Sequence, residues 1–387
     1  MKRWLIAGMF LLMVVAYLSW AILRPLPALE PYIVFTPKLA FTPQQQVYLS
    51  GVGSQALAVG DNGKIITNNA NIVRPTASTA KIMLALLILN KHPLTAGQTG
   101  PTIPITANDE KLQQEMASNG QSTMLVQTGS NLNEYQALQA LLIVSANNIA
   151  NKLAIWGFGS EAEYVKQANE YAKNIGMAQT NFADSSGFSP NTKGTASDML
   201  TLSQKAMEND VVAQIVSQKY ADLPIAGRVQ NTNTSLGIVG IDGIKTGYTI
   251  EAGGCLLYSA KNIIPIIGTI MGAPNKELAL EEAPANIEII TSKITHVNTI
   301  YKGQPIGYYK LPWGNNINVI ASDTLSISAW KGESPKTDIK LDKFTLNSQF
   351  NGQAISTSSI QKKAEIQLKL SGKISNPSIF WRITHPV

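Results

Sequence analysis

Residues 82–89, Ile-Met-Leu-Ala-Leu-Leu-Ile-Leu, are apolar at every position, and no other stretch restricts the fold as strongly. A helix built from them has no polar face, so other elements must enclose it on all sides. Eight residues are too few to cross a membrane, which makes this the central helix of a globular domain. Its entrance, "RPTASTAKIM" at residues 74–83, places Ser78 and Lys81 three apart, on one side of a helical turn. An ammonium drawn into apolar surroundings loses hydration, and its pKa falls toward that of a usable base. A neutral amine beside a serine hydroxyl makes an activated nucleophile without histidine. The competing reading lets Lys81 snorkel from the helix start into water. Ser-x-x-Lys recurs at Ser328/Lys331 and Ser359/Lys362, so the spacing does not choose between the readings; only Ser78 leads into an enclosed helix.

A chain of 387 residues exceeds one ordinary core and points to two domains. The excess of 31 basic over 25 acidic residues gives a formal charge of +6, but no basic cluster interleaved with aromatics accompanies it, so nucleic acid is not expected as a partner. Cys255 stands alone, which excludes an intramolecular disulfide. With only His92, His296 and His385 there is no metal-ligand spacing, and neither metal nor cofactor is expected.

Met1-Lys2-Arg3 precedes twenty uncharged residues, Trp4 to Leu23, enough to cross a hydrocarbon core of about 30 Å. The cationic start favours a cytoplasmic N-terminus, placing the rest outside the cell membrane. Ser19-Trp20-Ala21 has the small residues of a cleavage site, yet the apolar run exceeds the usual signal-peptide core, so residues 1–23 are expected as a retained signal anchor, with a secreted protein if they are cleaved. Residues 24–45 carry prolines at 25, 27, 31, 37 and 43 and read as an extended tether. Strand signals follow in "QVYLSGV" and "QALAVGDNGKIITNN", with hairpin chemistry at Asp61-Asn62-Gly63. Helical periods at 79–91, 133–157 and 160–175 give way to strands around 237–271, an α+β arrangement. This places one domain at 46–285. Residues 290–387 show short alternating runs separated by Gly, Pro and Asn, a separate all-β domain. The C-terminal "IFWRITHPV" is too short to be expected as an amphipathic membrane anchor.

Two further stretches stand in order with Ser78 and Lys81: Ser145-Ala146-Asn147, and Lys245-Thr246-Gly247. The set S-x-x-K, S-x-N and K-T-G is the signature of penicilloyl-serine enzymes. The chain resembles low-molecular-weight penicillin-binding proteins of the D-alanyl-D-alanine carboxypeptidase family, from about residue 55 to 330. "RPTASTAKIM", "LLIVSANNIANKLA", "TNFADSSGFS", "GTASDML" and "GIDGIKTGYTIEAGGCLLYSA" carry the likeness, and "YKGQPIGYYKL" resembles the family's C-terminal module. The second box departs from the usual S-G-N-D-A at Ala146 and Asn148. The resemblance implies a β-lactamase/DD-peptidase-like domain, an antiparallel sheet with a helical subdomain, followed by a small β domain.

It also implies a two-step acyl transfer on peptidoglycan stem peptides ending in D-Ala-D-Ala, with β-lactams as covalent inhibitors. Lys81 takes the proton of Ser78, which attacks the carbonyl between the two D-alanines. Ser145 passes a proton to the departing amine and Asn147 holds Lys81 and the substrate amide. Lys245 and Thr246 bind the terminal carboxylate, Gly247 leaves space beside the strand, and the N–H groups of Ser78 and Tyr248 form the oxyanion hole. Taken singly, these residues also fit helix caps, turns and strand ends. Thr195 and Asp198 read as structural, and Cys255 as buried packing.

A β-lactamase and an inactive peptidoglycan-binding homologue are the alternatives. The first needs a water-activating glutamate in an E-x-x-x-N string. Glu170 to Asn174 is such a string, but Tyr164, Val165, Ala168, Tyr171, Ala172 and Ile175 recur at helical spacing and put Glu170 on a solvated face.

Overall fold

The computed structural model describes residues 2–43, 47–95, 97–346, 348–372 and 374–385. The chain forms two units: Gln45–Ile294, and a second in which Met1–Gln44 joins Thr295–Val387.

The first unit is α+β. Its five antiparallel strands lie in the order Ile241–Thr249, Gly253–Lys261, Pro265–Ala273, Ser54–Val59, Lys64–Asn68. Gly63, at φ 60°, supplies the left-handed residue of the hairpin expected at Asp61-Asn62-Gly63. "QVYLSGV" forms no strand in its described part, residues 47–52; there Ser50 instead donates to Glu282, and its main-chain oxygen accepts from Asn68 and Gln55.

Helices cover both faces of the sheet. Thr269 pairs with Ala56, the neighbour of Gln55, so Thr269 and Gln55 point to opposite sides. Asn286 of the Lys276–Ser292 helix donates to Gln55 on one side, and Thr269 donates to Ala196 O of the Ala196–Met207 helix on the other. The Lys276–Ser292 helix runs past residue 285, the boundary expected from the sequence, because Asn286, Ile287 and Ile290 continue its buried face.

The central helix, Lys81–Lys91, follows a tight turn at Ala77–Ala80 and is buried from Lys81 through Leu89. The helices Asn147–Phe158, Glu161–Asn174 and Ala196–Met207 pack around it. Its seven large apolar side chains contribute roughly 10–20 kcal/mol of gross transfer energy, which fixes its position before any site chemistry is considered. The helical pattern read over 133–157 is interrupted once. An Asn133–Gln136 capping box starts Glu134–Gln139, a widened turn follows at Ala140–Val144, Ser145 adopts φ 66° and ψ 33°, and helix resumes at Asn147. Such interruptions often mark functional positions.

The second unit contains a six-stranded antiparallel sheet ordered Pro31–Ile33, Pro305–Tyr309, Ile317–Ala321, Ala364–Ser371, Gly352–Thr357, Lys336–Leu341. The Pro-rich segment, expected as a tether, is extended but supplies the edge strand, where a missing N–H can face outward. Val34 and Phe35 add hydrogen bonds to Ile306 O, and Phe41 exchanges two with Ser334. Residues beyond 290 are not entirely β: Ile379–Thr384 is a short helix started by Ser378.

Candidate active site

The turn into the central helix brings Lys81 Nζ within 2.7 Å of Ser78 Oγ, 2.7 Å of Asn147 Oδ1 and 2.9 Å of Ser186 O. Lys81 is fully buried, and burial lowers its pKa to about 7 against the opposing charge of Asp184. Its hydrogen bonds orient it. A neutral amine has two N–H groups and one lone pair; with Asn147 and Ser186 accepting the hydrogens, the lone pair is left for Ser78.

Local backbone holds Ser78 in place. Ala77, immediately before it, has φ 48°, a strained value for a residue with a Cβ. Two contacts maintain this conformation. Thr76 N donates to Thr192 O, and Gly187, at φ 77°, lies so close that a Cβ there would sit 1.9 Å from Ala77 O. The loop containing Gly187 is shaped by Asp184, whose carboxylate accepts from Ser186 Oγ, Phe188 N and Thr192 Oγ1.

The second box approaches from the Asn147–Phe158 helix. Asn147 N donates to Ser122 O and its Nδ2 to Gln121 Oε1, so the amide directs Oδ1 at Lys81. Asn148, one of the two departures from the S-G-N-D-A pattern, both donates to Met124 O and accepts from Met124 N, a pairing that needs an amide. Ser145 is buried in its left-handed turn two residues before Asn147; among the described residues it is not a hydrogen-bond partner of Lys81.

The third box lies on Ile241–Thr249, an edge strand of the sheet among the described residues. A Cβ on Gly247 would meet Ser78 N and Ala77 Cβ at 3.0 Å, so glycine is what lets the strand approach the turn carrying Ser78. Thr246 Oγ1 is 2.8 Å from Thr232 Oγ1. Lys245 is buried and donates to Thr246 O; burial, then the charges of Lys81 and Lys276, hold its pKa well below the usual lysine value. Tyr248 is half exposed at the open side. Beside Asn147 a cleft of about 230 Å³ is lined by Gln121, Asn151, Glu161, Asp184 and Ser186, among others.

Ser78, Lys81 and Asn147 are thus directly joined, and Gly247 brings the third box against them. Sequence reasoning missed Ser186, Gln121 and Thr232, whose contributions are a main-chain oxygen, an amide and a hydroxyl without a motif of their own. Gly187 had a signal in "ADSSGFS", seen only as part of the resemblance. Glu170 lies exposed on the Glu161–Asn174 helix, as its period indicates. Thr195 caps the Ala196–Met207 helix, and Asp198 accepts from Gln179 N and Thr180 Oγ1. Cys255 is buried, its thiol pushed up to about 11 by burial.

The family model for D-alanyl-D-alanine carboxypeptidases matches residues 46–275, more than half of the chain and all three boxes. The chain belongs to this family. It is 28% identical over 330 residues to the D-alanyl-D-alanine carboxypeptidase DacF of Bacillus subtilis, covering 81% of this chain and 82% of that protein. A D-alanyl-D-alanine endopeptidase of Escherichia coli is 26% identical over 273 residues, with 68% and 83% covered. The structure of the carboxypeptidase DacD from Francisella tularensis superposes with a TM-score of 0.60 at 19% identity, over 88% of this chain and 97% of the other, so the fold is shared. As a member of the carboxypeptidase family the protein is a serine-type hydrolase.

Proposed function

We propose that this protein removes the terminal D-alanine from peptidoglycan stem peptides through an acyl-enzyme on Ser78. The observation that carries this reading is the buried Lys81, with two hydrogens fixed by Asn147 and Ser186 and its remaining position on Ser78 Oγ. Neutral Lys81 takes the proton as Ser78 Oγ bonds to the penultimate carbonyl carbon. The oxyanion is stabilised by the N–H groups of Ser78 and Tyr248, a contribution of about 3–4 kcal/mol per donor. Collapse breaks the C–N bond, the amine leaves with a proton relayed through Ser145, and water then cleaves the ester under the same base.

Substrate placement follows from the open strand edge. A stem peptide can add to Ile241–Thr249 by main-chain pairing, with side chains contributing less. Its terminal carboxylate then meets Lys245 and Thr246. Lys245 is buried and, among the described residues, has no carboxylate beside it, so a bound anion supplies the counter-charge and draws a proton onto the amine. The β-lactamase reading lacks its glutamate: Glu170 faces solvent, and Glu161, which borders the cleft, has Oε1 occupied by Ser185 N and Oγ.

A retained membrane anchor completes the reading. Lys2–Leu23 is one helix, long and apolar enough to span a bilayer. Ala21, at the candidate cleavage site, is helical and fully buried. Arg24 donates to Arg382 O, Arg382 donates to Ile22 O and Arg24 O, and Tyr17 donates to Ile383 O. Of these residues Tyr17 precedes the candidate cleavage site, and its bond to the C-terminal helix favours retention over cleavage, leaving the catalytic unit outside the membrane.

The test is covalent labelling by penicillin, read by intact mass, alongside D-alanine release from a synthetic pentapeptide. The expected result is one adduct per chain, lost in Ser78→Ala and kept in Ser328→Ala and Ser359→Ala. A labelled Ser78→Ala protein overturns the assignment, and cleavage confined to cross-linked peptides moves the protein to the endopeptidases.

A further inference from the structure

We infer that the β unit carries a second binding site, a cleft for an acidic glycan chain; the choice of glycan rests on the reading of the protein as a cell-wall enzyme. The cleft encloses about 700 Å³, some three times the volume beside Asn147 and within the range of ligand sites. Its walls are the 35–38 segment, the turn at Tyr301–Gln304 and the approach to the Lys336–Leu341 strand, all within one unit.

The chemistry of the lining selects the ligand class. Tyr301 is 60% exposed and offers a ring face on which the C–H face of a sugar can stack. Asn298 and Gln304 bring amides suited to hydroxyl and acetamido groups. Lys38 and Lys302 are exposed, and among the described residues neither is in a salt bridge. Glu333, the acid in the lining, is buried and accepts from Trp330 N, Ser359 N and Ser359 Oγ, so its charge is already matched by donors. Two uncompensated cations beside an exposed ring and amides suit a sugar polymer bearing carboxylates.

A peptide is the less suitable occupant. Extended peptides bind by pairing with open strand edges, but at this cleft the N–H and O of Ser334 are taken by Phe41 and Pro335 has no donor. At Ser334 and Pro335 the cleft therefore presents side chains; among the described residues the Lys336–Leu341 strand is paired on one side only, and the experiment below separates a peptide on that edge from a glycan. A wall glycan held here at a stretch already freed of peptide, where its carboxylates are exposed, would keep the enzyme near stretches of the strand that still carry substrate peptides.

The test uses the full chain in detergent with Ser78 already acylated by penicillin, so binding reports only sites other than the catalytic one. It is mixed with soluble glycan strands that an amidase has freed of their peptides, which exposes the sugar carboxylates, and binding is read by native electrophoresis; in parallel it is sedimented with intact insoluble peptidoglycan, where those carboxyls are amide-linked to peptide. The expected result is binding to the freed strands, several-fold weaker for Tyr301→Ala and for Lys38→Ala combined with Lys302→Ala, preserved in Tyr301→Phe, and weaker on intact peptidoglycan. Acylation rates and melting temperatures should match the parent, so failure here is separable from failure of the proposed activity. Equal binding of parent and Tyr301→Ala overturns the site by reducing it to charge attraction, and binding only to peptide-bearing polymer overturns it in favour of a peptide.

Discussion

Lys81 Nζ stands 2.7 Å from Ser78 Oγ at the mouth of a helix with no other polar residue in its buried length, Lys81–Leu89. The apolar enclosure that fixes the helix also sets the acid–base chemistry, because it lowers the Lys81 pKa to about 7. The acylation rate with penicillin should therefore rise about tenfold per pH unit below 7 and level off above it. A pH–rate profile from 5 to 9 checks this. Lys81→Arg should lose acylation by several orders of magnitude, since a guanidinium cannot act as the base. The same shift affects stability with a defined sign. Between about 7 and 10.5 the unfolded chain holds a proton that the folded one does not, so this site's contribution becomes more favourable as pH rises through that window.

Gly187 tests how Ser78, the proposed nucleophile, is positioned. Gly187→Ala puts a Cβ against Ala77 O in a backbone region that side chains disfavour, so the turn holding Ser78 must shift. A displacement of this kind near a reacting atom costs on the order of 10²-fold in rate. The expected signature is a large loss of acylation rate in a protein that still folds, measured by stopped-flow labelling and circular dichroism.

Glu134 carries a pH-dependent cost away from the site. It is buried, neither carboxylate oxygen has a partner among the described residues, and burial raises its pKa to about 7. The folded state then binds the proton more tightly than the unfolded chain, so stability is greatest below about 4.5 and declines until about 7. Glu134→Gln should raise the melting temperature at pH 8, by about 2–4 °C per kcal/mol recovered. Near pH 4.5 parent and variant should melt together.

Truncation separates helix from domain boundary. A chain ending at residue 285 loses Asn286, Ile287 and Ile290 from the buried side of Lys276–Ser292, along with the Asn286–Gln55 hydrogen bond. Removing two buried isoleucines costs roughly 4–8 kcal/mol. Ending at residue 294 spares all of these. Comparing the two for residues 47 onward, the longer form should bind penicillin stoichiometrically and the shorter should melt far lower.

The sequence was most informative where one physical constraint acts locally. An all-apolar run has one stable place, so the central helix is readable from residues 82–89, whereas the run alone does not choose between a buried and a snorkelling Lys81. The boxes supplied Asn147 and Gly247, but neither shows by itself what it meets: Asn147 depends on Gln121 and Ser122, and Gly247 on the turn at Ala77. These are contacts between distant segments through main-chain atoms and common side chains, and they leave no period. The same limit explains the 24–45 stretch. Proline identified an extended backbone, while its partner, Pro305–Tyr309, lies more than 270 residues away and could not be inferred from local pattern.

The sheet pairing between Pro31–Ile33 and Pro305–Tyr309, together with the exchange between Arg24 and Arg382, also has a consequence for biogenesis. On the proposed topology, the first segment to be exported must wait for nearly the last before its strand is paired, while the Gln45–Ile294 unit between them contains a sheet and core of its own. Export should therefore produce a chain that matures from its middle outward, with the catalytic unit competent while the β unit still lacks its edge. Closing so long a loop is slow, which makes that interval the period in which an unpaired strand edge is exposed to aggregation or to folding assistants.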